Sequence, residues 1–170
     1  MHCIEHGTLI TSHERVYAVG SEYTLVLNSG DPLPLRTLSS PAILLSVAQR
    51  FEIVHDDAIE NGPFRVHTKA YWYRFELEDE AELLAYHWTP ETQNSQEKRY
   101  PHLHIGAALL TADTPLLPGV LHKRHVPTGR VSIESIVRFA IEELGTQPLI
   151  PNWNDVLDRG QRRFDRYRRS

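Results

Sequence analysis

The sequence predicts an α+β fold: an antiparallel β-sheet of hairpins with C-terminal helices packed on one face. Three observations predict it. Segments rich in β-branched and aromatic residues follow one another through the first two thirds of the chain; one strongly amphipathic helix comes after them; and the chain ends in a polar, arginine-rich stretch with a helical start. Strands in series followed by helices leave the helices on one side of an antiparallel sheet.

The first forty residues carry the weakest signals. Residues 16–28 are moderately apolar, and Gly30-Asp31-Pro32-Leu33-Pro34 then breaks any regular element. Residues 42–49 fit a strand or a short helix. They lead into residues 50–55, where Phe51, Ile53 and His55 alternate with Glu52 and Val54 as a strand requires. Residues 56–63, with Asp-Asp and Asn-Gly-Pro, read as a connecting loop. Residues 64–77 combine Val66, Thr68, Tyr71, Trp72, Tyr73 and Phe75 without a helical period, which predicts a long strand. Simple alternation would put His67, Lys69, Tyr71 and Tyr73 on one of its faces. A polar turn at 78–81 and a returning strand at 82–89 complete a hairpin, a polar loop covers 90–99, and a short strand follows at 102–105.

The helix is predicted over 132–144, because Ile133, Ile136, Val137, Ala140, Ile141 and Leu144 share one face. Ser132 caps its start, Glu134 complements the positive end of its dipole, and Gly145 closes it. A second helix begins near Asn152 and runs towards the arginine tail.

Bulk properties bound the function. No repeat or low-complexity segment divides residues 1–170, so they read as a single domain with a basic segment at 159–170. The apolar runs are too short to span a bilayer, and the N-terminus lacks the pattern of a secretory signal. Cys3 is the one cysteine, which excludes an intramolecular disulfide and a cysteine metal knuckle and fits a reducing, cytoplasmic setting. Residues 159–170 hold six arginines against one aspartate, on an otherwise acidic body. Such a tail can dock on phosphates, on an acidic partner, or simply be a solvated helix face.

Ten histidines mark where chemistry is expected. On a strand, His102 and His104 point the same way while Leu103 and Ile105 face the core. His122, Lys123, Arg124, His125 and Arg130 crowd the segment before the helix, read here as a loop, and His87 ends the neighbouring strand. Arg130, beside a helix start, makes a phosphate-binding corner. Imidazoles titrate near neutrality and suit proton transfer in phosphodiester cleavage, and the cations suit stabilisation of phosphate charge. A His-x-His pair with a third histidine is equally a ligand set for a divalent metal, with Glu91, Glu97 or Asp113 as candidate carboxylates. His2, His6, His13 and His55 read as incidental.

The order of strand, turn, strand ending in Tyr86-His87-Trp88, polar loop, Tyr100-Pro101-His102-Leu103-His104, basic segment and capped helix Val131-Ser132-Ile133-Glu134-Ser135-Ile136 resembles the small toxins of the TumE type. The resemblance covers roughly residues 64–144. It departs at Trp88-Thr89-Pro90-Glu91-Thr92, where that family carries paired histidines, and at the insertion of residues 107–121. It implies an RNase-like toxin restrained by an antitoxin that has a DNA-binding domain, and histidine acid–base chemistry would make it a metal-independent endoribonuclease. His102, His104 and His125 would then be the catalytic residues, and His87, His122, Lys123, Arg124 and Arg130 would bind the RNA. No cofactor is expected on that reading.

Two alternatives use the same sequence. One is a metal-dependent hydrolase or oxygenase with His102, His104 and His125 as ligands. The other is a non-enzymatic binding module or antitoxin-like partner working through its arginine tail. An exposed hairpin edge would allow a homodimer.

Overall fold

A computed structural model describes residues 3–4, 9–11, 17–37, 41–57, 62–91, 99–109 and 124–167. These build β1 (Leu9–Thr11), β2 (Glu22–Leu27), β3 (Leu33–Pro34), β4 (Ile43–His55), β5 (Phe64–Leu77), β6 (Glu82–Trp88), β7 (His102–Ile105), β8 (His125–Pro127), α1 (Ile133–Glu142) and α2 (Trp153–Tyr167). The fold is α+β. One antiparallel sheet runs β1-β2-β4-β5-β6-β7-β8, with β3 paired to the same edge of β4 that β2 occupies further along.

Residues 42–49, open to strand or helix from sequence, continue with 50–55 as the single strand β4. Its partner β5 settles this: Leu45 lies opposite Phe75 and Val47 opposite Tyr73, so the alternating apolar side chains have a cross-strand surface to bury against. The same row continues through Leu84 and Tyr86 of β6 to Ile105 and Leu103 of β7. Ile136, Val137 and Ala140 of α1 are buried in this cluster, and Phe139 packs its ring 5.6 Å from Phe75. Each large apolar side chain buried here contributes about 1.5–3 kcal/mol.

Ser132 caps α1 as its sequence position requires, accepting from the Ser135 amide at 3.0 Å, and its hydroxyl donates to Gln161 of α2. The helix proper is shorter than predicted, ending at Glu142, and Gly145 turns out of it at φ 69°. Arg138 ties α1 to α2 through Asp158 at 2.6 Å and through Asn154. The linker after α1 is held by the N-terminal segment: Gln147 N–H donates to the Arg36 carbonyl and Leu149 N–H to that of Cys3, both at 2.8 Å. Hence the stretch with the weakest sequence signal supports the helical layer.

Two local features shape the rest. Ala70 pairs with Arg50 and Thr68 with Phe51, which leaves Lys69 as the extra residue of a β-bulge. The bulge reverses the alternation expected along β5. Tyr71 and Tyr73 face the helices, whereas Lys69 and His67 turn to the other face and meet Glu52, His67 at 3.1 Å. At the end of β7, Gly106 donates to the Leu83 carbonyl at 2.8 Å, so close to β6 that a Cβ there would overlap the Glu82 carbonyl oxygen. Among the described residues no helix is long and apolar enough to cross a membrane.

Candidate functional site

The site is built on the sheet face turned away from the helices. His87 lies opposite His102, and His104 lies opposite His125, so three sequential strands bring four imidazoles to one face. Alternation in β7 does the rest, since Leu103 pairs with Tyr86 on the helix side. The ring centres of His104 and His125 are 4.4 Å apart, those of His87 and His104 4.7 Å, and those of His102 and His125 4.8 Å.

His102 is buried, at 4% exposure, and its orientation is fixed from behind. Its Nδ1–H donates to the Tyr100 carbonyl at 2.8 Å. That bond sets the tautomer of the neutral ring and leaves Nε2 as a lone pair facing the site. The His104 Nε2 lies 3.1 Å from it. In the metal-free protein the His104 N–H therefore donates to His102; with a cation present both lone pairs can converge on it. One ligand atom each from His87, His102 and His104 falls within a mutual 4.8 Å. Tetrahedral zinc with nitrogen ligands places neighbouring nitrogens about 3.3 Å apart. The His102–His104 pair is already at that spacing.

Burial, followed by the neighbouring imidazoles, lowers the His87 and His104 pKa values to about 4. Both rings are neutral near pH 7, the form that binds metals.

Not all the residues singled out from sequence meet here. His125 sits on β8, a strand where a loop was expected, and reaches the cluster by pairing edge-on with β7. His87, read as a substrate contact, is an equal member of the cluster. Arg124 is exposed just before β8. Arg130 lies on the opposite face of the sheet: its guanidinium stacks 4.2 Å from the Trp88 ring and donates to the Thr68 carbonyl at 3.2 Å. His122 and Lys123 lie outside the described residues, as do Glu97 and Asp113. Glu91 is engaged elsewhere, 2.9 Å from Lys69 and 3.9 Å from Arg50, and the hydrogen bond from Lys69 holds its carboxyl below the usual carboxylate range.

The helix face of the sheet holds a cavity of ≈ 770 Å³ that sequence reasoning missed. It lies between the start of β5, the start of α1 and one side of α2. Arg163 and Arg166 reach it, and only the charge of the tail hinted at it.

No protein-family model, curated protein or solved structure matches this chain.

Proposed function

We propose that the chain is a metal-dependent hydrolase with His87, His102 and His104 as ligands and His125 beside them as a fourth ligand or proton carrier. The carrying observation is convergence. Three ring nitrogens lie within 4.8 Å of one another, one ring being fixed by the Tyr100 carbonyl. A backbone carbonyl on the far ring nitrogen is how proteins commonly orient a metal-binding imidazole. Three imidazoles with an open fourth position form a catalytic zinc set, whereas oxygenase iron sites replace one imidazole by a carboxylate. Among the described residues no carboxylate joins this group.

A bound ion of this kind supplies Lewis acidity and a water that is nucleophilic near neutral pH. The residues of the chain position and protect. The β6–β7 ladder keeps His87, His102 and His104 in register, the Tyr100 carbonyl holds the His102 tautomer, and burial keeps His87 and His104 unprotonated. RNA, implied by the likeness to TumE-type toxins, is the first substrate to test, and an antitoxin is the partner that would cover this face. A second reading, metal-free acid–base cleavage of RNA, draws on the 3.1 Å contact between the His102 and His104 ring nitrogens, a donor beside an acceptor.

The deciding experiment is elemental mass spectrometry on the purified full chain, then RNA cleavage with and without chelator. Near-stoichiometric zinc or another transition metal, lost in a folded His104→Ala variant, is expected. Protein that neither carries nor takes up metal would sink the metal reading. If that protein cleaves RNA and His102→Ala does not, the acid–base reading replaces it.

A further inference from the structure

The ≈ 770 Å³ cavity on the helix face has a composition of its own. Its floor is aromatic and satisfied: the Tyr71 hydroxyl accepts from the Val131 amide at 3.1 Å, and the Tyr73 hydroxyl donates to Gln49 at 3.0 Å. One wall is the start of β5, where Phe64 and Val66 are about half exposed. The facing wall is a single stripe of α2, since Gly160, Arg163, Phe164 and Tyr167 are spaced i, i+3, i+4 and i+7. Gly160 lets α2 approach closely, because a Cβ there would overlap the Glu134 side chain.

The charge around this cavity is one-sided. Arg65 is neutralised by Asp56 at 2.8 Å and His67 faces Glu52. Of the other lining residues, Arg130 is engaged by Trp88 and the Thr68 carbonyl, Arg163 and Arg166 of α2 are cationic, and Glu134 alone is anionic. Among the described residues neither Arg163 nor Arg166 has a carboxylate partner. Two guanidiniums one turn apart on one helix match an anion with several oxygens, which arginine forks bind in bidentate fashion. Beside them stand exposed apolar side chains able to cover a flat ring.

We infer that this cleft is a second ligand site, separate from the histidines, for a small phosphate ester carrying a flat apolar body, of which a nucleoside monophosphate is the simplest member. The phosphate lies against Arg163 and Arg166, and the ring lies along Phe64 and Val66. The sheet itself divides this ligand from the imidazole cluster, so the inference stands whether or not the histidines hold metal.

Isothermal titration of the full chain with adenosine monophosphate, adenosine, inorganic phosphate and a single-stranded RNA oligonucleotide tests it. Saturable binding of the monophosphate, tighter than that of adenosine or phosphate alone, is expected. The Arg163→Ala, Arg166→Ala double variant should bind it about tenfold more weakly or worse, the size of one lost charge-assisted hydrogen bond. Phe64→Ala should weaken the monophosphate while leaving inorganic phosphate unchanged. Metal content should be the same in all variants. Absence of monophosphate binding overturns the inference, and so does equal affinity in a double variant with an unchanged circular dichroism spectrum. Binding of the RNA alone would also overturn it and make the cleft a polynucleotide surface.

Discussion

Among the four clustered imidazoles, His102 is the one whose proton is committed. Its Nδ1–H belongs to the Tyr100 carbonyl, so only Nε2 can serve the site. Replacing it with alanine removes the oriented ring, whereas replacing it with glutamine keeps a polar group without the imidazole lone pair; both variants are expected to lose metal while remaining folded. His87 and His104 carry a different signature. Their pKa values lie at about 4 when folded, against an ordinary value of 6.5, because burial and neighbouring rings oppose their charging. Between those limits the unfolded chain takes up protons that the folded chain refuses, so protons favour unfolding. The stability due to these neutral rings is complete above about 6.5 and is lost as the pH falls towards about 4. Melting curves of metal-stripped protein should show the midpoint falling through that window. A flat profile would mean that the two rings charge freely in the native state.

At the level of elements, the site depends on how closely β7 approaches β6. With the Glu82 carbonyl oxygen 1.7 Å from where a Cβ would sit, Gly106→Ala must push the strands apart. A loss of about 2–3 kcal/mol is expected by urea titration, together with lost metal capacity. Ser132→Ala acts on the other face: it removes the cap of α1 and the bond to Gln161, and should cost about 1–2 kcal/mol without changing metal content. The bounds of β5 and β7 and the capped start of α1 were legible because alternation, aromatic content and Ser132 act locally. β8 was not: His125-Val126-Pro127 is three residues long, ends in proline and becomes a strand only because β7 offers an edge. The bulge at Lys69 was equally hidden, since it arises from pairing with β4 and leaves no mark on the composition of β5. The grouping of His102 with His104 followed from spacing alone. The place of His87 needed the register, and the position of Arg130 needed knowledge of which face β8 leads into.

For the whole molecule, the sheet is a partition with the clustered histidines on one side and the helices, with Arg130, Arg163 and Arg166, on the other. A ligand of the folded state raises its melting temperature, by about 2.7 kcal/mol of added stability at a hundredfold excess over the dissociation constant. Zinc added to stripped wild-type protein should therefore raise the midpoint, and His104→Ala should abolish that rise; an equal rise in both proteins would place the ion elsewhere. One property of the sheet order bears on time rather than on affinity. Among the described residues β8 is the last strand in the order, held by β7 and by the Thr128 amide on the Pro101 carbonyl at 2.8 Å. Edge strands open locally at far less cost than the core. Each fraying of β8 lifts His125 away and leaves the other three imidazoles in place, a transient gap in a standing half-circle. Entry and escape at the histidine site would then follow the breathing of three residues, and hydrogen exchange at His125 and Val126 would keep the same clock.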